Sequence, residues 1–189
     1  MMSDVRIWLD RLSSLHKSQM RKAACAAGMQ LVHLEILQYL SMCNRYSNTA
    51  QALGEYLGQT KGSLSQSLAF MEEAGYIERK PDPVDRRYAR LFLTKEGKAL
   101  LKRIDSGKIL APDFPEDDAA VEMIQRLLSD WQSHNGLKSF GQCKSCRFNK
   151  TVDGGRSQCM LTGEALSKSD VRKICREHEF SSTASAPLS

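Results

Sequence analysis

Residues 49–97 set the narrowest limits on what this chain can become. The stretch "TAQALGEYLG" reads as a short helix with Ala50, Leu53 and Leu57 inward, and Gly58 stands where a C-terminal helix cap belongs. "QTKGSLSQSLAFMEEAGY" follows almost without a gap. Thr60 caps this second helix, Leu64, Leu68 and Met71 form its apolar stripe, and Gly75 ends it. Its first two turns hold Lys61, Ser63, Ser65, Gln66 and Ser67, all short or hydrogen-bonding. "YIERK" and "YARLFLT" then read as strands, with "PDPVDRR" between them as a charged hairpin tip. Thr94 caps a further helix, "KEGKALLKRI", whose apolar positions are Leu100, Leu101 and Ile104.

Two short helices across a glycine turn, followed by a two-stranded hairpin, make a winged helix-turn-helix. A helix fits the major groove of duplex DNA, and side chains on its first turns reach base edges. Those would be Lys61, Ser63, Ser65 and Gln66, with Gln66 chemically suited to pair with adenine. Arg86 and Arg87 at the hairpin tip suit phosphates or a narrow minor groove, and Arg79, Lys80 and Arg90 on the strands add positioning charge. The charge balance agrees: residues 78–108 carry ten Lys and Arg against five Asp and Glu, an excess equal to the net +5 of the whole chain.

On these residues the chain resembles the MarR family of winged-helix transcription regulators. "GMQLVHLEILQYL" resembles that family's second helix, and "LSQSLAFMEEAGYIERK" its recognition helix running into the wing. "DPVDRRYARLFLTKEG" matches its most distinctive stretch, an Asp-Arg tip, a return strand and a Leu-Thr-x-x-Gly cap. The similarity covers residues 28–97. It implies a homodimer joined through N- and C-terminal helices, here about 3–27 and 115–134, binding pseudo-palindromic double-stranded operator DNA. A small-molecule effector is a further implication. The family's long helix after the wing is here short and broken by Pro112 and Pro115.

The flanking segments have helical spacing. Val5, Trp8, Leu9, Leu12 and Leu15 mark the first, Val32, Ile36, Leu37 and Leu40 the second, and Val121, Ile124, Leu127, Leu128 and Trp131 a helix from about Pro115 to His134. No apolar run reaches membrane-spanning length, and "MMSDVRIWLDRL" lacks the layout of a secretory signal, so a cytoplasmic protein without membrane contact is expected.

Four of the six cysteines fall between Cys143 and Cys175. Cys143 and Cys146 form a C-x2-C knuckle, and Cys159 and Cys175 complete four thiolate donors. A divalent ion would relieve their mutual repulsion. The segment has a thin apolar complement (Phe140, Phe148, Met160, Leu161, Leu166, Val171, Ile174, Phe180), and a reducing compartment disfavours disulfides, leaving metal as the natural staple. Zinc is the expected cofactor, with an iron–sulfur cluster as the alternative. "SKSDVRKICREHEF" reads as a helix, in which His178 is a ligand in place of one cysteine, an outer-shell donor or an exposed bystander. Cys25 and Cys43 read as buried small hydrophobes. The cysteine stretch is also similar to a cysteine-cluster tail of some bacterial regulators.

The expected fold is mainly α (α+β): a winged helix-turn-helix with flanking dimerisation helices and a small metal-stapled C-terminal module. Residues 1–135 form the DNA-binding and dimerisation domain, 136–180 the cysteine module and 181–189 a disordered tail. The expected function is operator binding as a dimer, with a four-cysteine site that is structural or sensory. Alternatives are a winged-helix protein-interaction adaptor and an iron–sulfur redox-sensing regulator. Enzymatic chemistry is not expected, since no catalytic motif accompanies the cysteines and four protein ligands would close a metal to substrate.

Overall fold

The computed structural model describes residues 4–83, 85–106, 117–152 and 154–180. Among them the helices are, in chain order, α1 (Asp4–Ala26), α2 (Leu31–Met42), α3 (Ala50–Leu57), α4 (Lys61–Glu73), α5 (Lys95–Ser106) and α6 (Asp118–His134). The strands are β1 (Ile77–Pro81), β2 (Ala89–Leu93), β3 (Gly141–Gln142), β4 (Asn149–Val152), β5 (Arg156–Cys159), β6 (Ala165–Leu166) and β7 (Ile174–Cys175). The chain divides into two compact units, Met1–Ser41 with Thr60–Pro115, and Met42–Gln59 with Glu116–Ser189.

In the first unit the core comes from Met20, Ala23 and Ala24 of α1, Leu34, Ile36, Leu37 and Tyr39 of α2, and Leu64, Leu68 and Met71 of α4. The apolar positions that mark the start of α1 do not pack within the chain: Val5, Trp8, Leu12 and Leu15 are exposed, Trp8 by 71%. The polar-looking second half enters the core instead, where alanines allow close approach. There burial pushes the Glu35 carboxyl above its usual range, an effect that Lys17, Arg21 and His16 offset only in part.

Antiparallel β1 and β2 pair Ile77 with Leu93, Arg79 with Leu91 and Lys80 with Arg90, which turns Ile77, Leu91 and Leu93 inward. The Leu-Thr-x-x-Gly stretch locks this hairpin to the end of α4. Thr94 donates its hydroxyl to the Gly75 carbonyl at 2.7 Å and accepts from the Gly97 amide at 3.0 Å. Gly97 lies against main chain, and a Cβ there would stand 2.1 Å from the Tyr76 carbonyl oxygen.

In the second unit α6 starts at Asp118 with Asp117 as its cap, the Ala119 amide donating to Asp117 Oδ1 at 3.0 Å. Pro115, the expected start of this helix, lies outside the described residues. None of the α6 residues is buried within the single chain. Strands β4, β5 and β6 form an antiparallel meander, and β3 pairs with β7. The expected helix over 167–180 does not form. Ser167 and Asp170 bond each other instead, Ser167 N–H and O–H to Asp170 Oδ2 at 2.9 and 2.7 Å, closing a turn before β7. The buried complement here is Phe140, Cys143, Cys146 and His178, while Met160 and Leu161 are exposed. Cys43 is buried as expected, but Cys25 is exposed. The linker 107–116 and the tail 181–189 lie outside the described residues.

Candidate nucleic-acid interface and cysteine module

Thr60 opens α4 as expected, its hydroxyl oxygen accepting from the Ser63 amide at 3.3 Å. Lys61, Ser63, Ser65 and Gln66 are all exposed on the first turns, while Leu64, Leu68 and Met71 face inward. Burial of one stripe leaves the short polar side chains on the open face. Gly75, with φ of 72°, releases the chain from α4 toward β1.

The wing arginines divide by role. Arg86 is exposed and carries no ion pair among the described residues. Arg87, also exposed, folds back onto Asp85 with Nη2 2.6 Å from Oδ2, and this partner holds the Asp85 carboxyl below its usual range. Arg90 is tied to the buried Asp82 and is largely covered, so it braces the hairpin. Asp82 also accepts from the Asp85 amide at 2.9 Å, and its own amide donates to the Tyr88 carbonyl at 2.9 Å. This organising role of Asp82 has no signal in the sequence beyond a turn-forming Asp between prolines. Arg79 reaches Glu72 on α4 at 2.8 Å, and Lys80 reaches Glu78 at 2.7 Å while lying over the Phe92 ring.

In the cysteine module, Cys143 and Cys146 close a 3-10 turn, the Cys146 amide donating to the Cys143 carbonyl at 3.1 Å. Cys159 ends β5 in a second tight turn, the Gly163 amide donating to its carbonyl at 2.7 Å. Cys175 ends β7. Burial pushes the Cys143 thiol up to about 11, and the nearby Cys146, Cys159 and Cys175 add to the rise. The other three cysteines thus lie near enough to Cys143 to act on its thiol. Among the described residues no group of three or more His, Cys, Asp or Glu side chains is arranged to hold an ion.

His178 is neither exposed nor available as a ligand. It is 2% exposed, with Nδ1 3.0 Å from Ser139 Oγ and Nε2 3.0 Å from Ser145 Oγ, so both ring nitrogens are taken. Its ring packs edge-on to Phe180 and against Gly141, where a Cβ would come within 2.7 Å of it. Beside it a cleft of about 730 Å³ is walled by Tyr56, Leu128, Phe140, Ile174 and Phe180 among others.

The polar helix, the arginine hairpin and the threonine–glycine lock can be set against known proteins. The MarR family model matches residues 27–87. This segment is similar to the winged helix of the MarR family. The transcriptional regulator HosA of Escherichia coli O111:H- is 37% identical over 78 residues, 41% of this chain and 51% of that protein. The HTH-type transcriptional regulator PapX of Escherichia coli is 30% identical over 69 residues, 36% of this chain and 42% of that protein. The chain thus spans about half the length of the curated relatives it matches. Among solved structures, CouR from Rhodococcus jostii RHA1, bound to p-coumaroyl-CoA, superposes with a TM-score of 0.55 at 18% identity, over 68% of this chain and 92% of that one. A MarR family regulator from Silicibacter pomeroyi superposes with a TM-score of 0.54 at 20% identity, over 67% and 89%. These likenesses show the MarR fold. No helix among the described residues is long and apolar enough to cross a membrane.

Proposed function

We propose that the chain is a DNA-binding transcription regulator of the MarR type, acting in the cytoplasm as a homodimer on double-stranded operator DNA. The observation that carries this reading is the exposed polar start of α4 together with the wing that Asp82 and Arg90 brace. Lys61, Ser63, Ser65 and Gln66 meet base edges, and Arg79, Lys80, Arg86 and Arg87 meet phosphates or the minor groove. Arg90 contributes by holding the hairpin in shape. The exposed apolar side chains of α1 and α6, Trp8 and Trp131 included, supply the dimer surface. An effector of small-molecule size has room in the 730 Å³ cleft.

We further propose that Cys143, Cys146, Cys159 and Cys175 hold one zinc ion. Support comes from the chemistry of the donor set, four thiols within one short stretch, two of them buried in a module with few other buried side chains. Anaerobic purification with elemental analysis and an absorption spectrum separates zinc from an iron–sulfur cluster.

Operator binding is tested by fluorescence anisotropy on DNA from the protein's own promoter region across a salt series. Arg86→Ala with Arg87→Ala weakens binding and lowers the slope of log affinity against log salt by about one unit for each arginine that meets a phosphate. Binding that ignores both the substitutions and the salt overturns the reading.

A further inference from the structure

Strand β7 lies along the loop that leads into α3. Cys43 forms a parallel bridge with Ile174, and the Asn44 amide donates to the Ile174 carbonyl at 2.8 Å. Two residues on, the Arg176 amide donates to Oγ of the fully buried Ser47 at 2.8 Å. The Arg176 guanidinium then forks onto Glu55 of α3, Nε to Oε2 at 2.6 Å and Nη2 to Oε1 at 2.8 Å. Arg45 of the same loop pairs with Glu164, and the Tyr56 ring of α3 stands edge-on to Phe140 at 5.3 Å.

These contacts hold α3 from both ends. The loop before it is fastened at Asn44 and Ser47, and its last turn carries Glu55 and Tyr56. A helix of eight residues gains little stability from its own hydrogen bonds, so outside partners decide where it lies. The fork engages two guanidinium nitrogens and both carboxylate oxygens, which fixes an angle as well as a distance. Gln51, one turn earlier, donates to the same carboxylate at 3.0 Å and so steadies the Glu55 side chain. Gly58, with φ of 64°, ends α3, and Gln59 alone separates it from the Thr60 cap of α4. In a helix-turn-helix the first helix crosses the DNA backbone while the second enters the groove, so the placement of the first governs the approach of the second.

We infer that Arg176 of the C-terminal module is a positioning residue for operator recognition, acting through Glu55 to hold α3 where α4 can read bases. This rests on the DNA-binding reading proposed above and not on the metal reading. The contribution is to base reading rather than to general attraction for a polyanion, because Glu55 neutralises the Arg176 charge. Loss of the fork therefore lowers the preference for operator over other DNA.

The test titrates the full chain, by fluorescence anisotropy, with DNA from its own promoter region and with unrelated duplex of equal length. Arg176→Lys keeps the charge and removes the fork. Glu55→Ala takes an acidic group off a helix of the DNA-binding motif and favours that helix, so charge and propensity alone would tighten binding. Each variant is expected to bind promoter DNA about threefold more weakly or worse, with affinity for unrelated DNA as before. Equal losses on both DNAs mark a fall in folded protein and overturn the inference. Promoter affinity that neither variant lowers, or that Glu55→Ala raises, overturns it as well. Unaltered protein that prefers neither DNA overturns the operator reading, and this inference with it.

Discussion

Single residues in this chain carry constraints out of proportion to their size. Gly97 sits in the first turn of α5 with the Tyr76 carbonyl where a side chain would begin. The obstacle is main chain, so relief requires moving the wing against α4. Gly97→Ala is expected to destabilise the first unit by about 1–3 kcal/mol in urea unfolding. His33 offers a second test. It is buried, stacks on Phe70 at 4.4 Å, and burial lowers its pKa. Above about pH 6.5 the imidazole is neutral folded or unfolded. Below that value the unfolded chain takes up a proton that the folded one resists, so stability falls with pH until the depressed folded value is reached. His33→Gln should flatten this dependence between about pH 7 and pH 5. Some slope should remain, since burial also lowers the pKa of His178.

At the scale of elements, the winged helix was legible because its signals are local. Thr60, Gly75, Thr94 as the cap of α5 and the Leu64–Leu68–Met71 stripe act within one or two turns, and each does in the structure what its spacing implies. The strands of the wing likewise occupy the stretches that aromatic and branched residues mark. Legibility failed where a distant partner decides. The apolar start of α1 was legible as a helix in need of a partner, but a helix pattern does not say whether that partner is in the same chain. The segment 167–180 has helix-compatible composition, yet pairing of β7 with β3 and the Ser167–Asp170 turn divert it. His178 could not be assigned from its spacing to Cys175, because Ser139 and Ser145 claim it from 39 and 33 residues away. His178→Gln is therefore expected to leave metal stoichiometry unchanged while costing about 2 kcal/mol of stability from two lost hydrogen bonds. Elemental analysis and denaturant unfolding of one preparation check both halves.

At the scale of the whole molecule, the proposed dimer depends on apolar surface that a lone chain leaves in water. Ile124 is 60% exposed and Trp131 54%, on a helix with no buried residue. Ile124→Glu with Trp131→Ser is expected to halve the mass seen by light scattering. It should also weaken operator binding by about 100-fold or more, since two linked half-site contacts become one. A monomeric mass for the unaltered chain would remove the dimer from the functional reading.

The tie between Arg176 and Glu55 joins positions 121 apart, and that between Arg176 and Ser47 joins positions 129 apart. The cysteine-bearing segment is therefore no detachable appendage. A graft that moved residues 136–180 onto another winged helix would arrive without the hydroxyl and the carboxylate that hold its own arginine. The two stretches form one heritable pair, and in descendants of this chain a change at Glu55 or Ser47 should be answered by a change near Arg176.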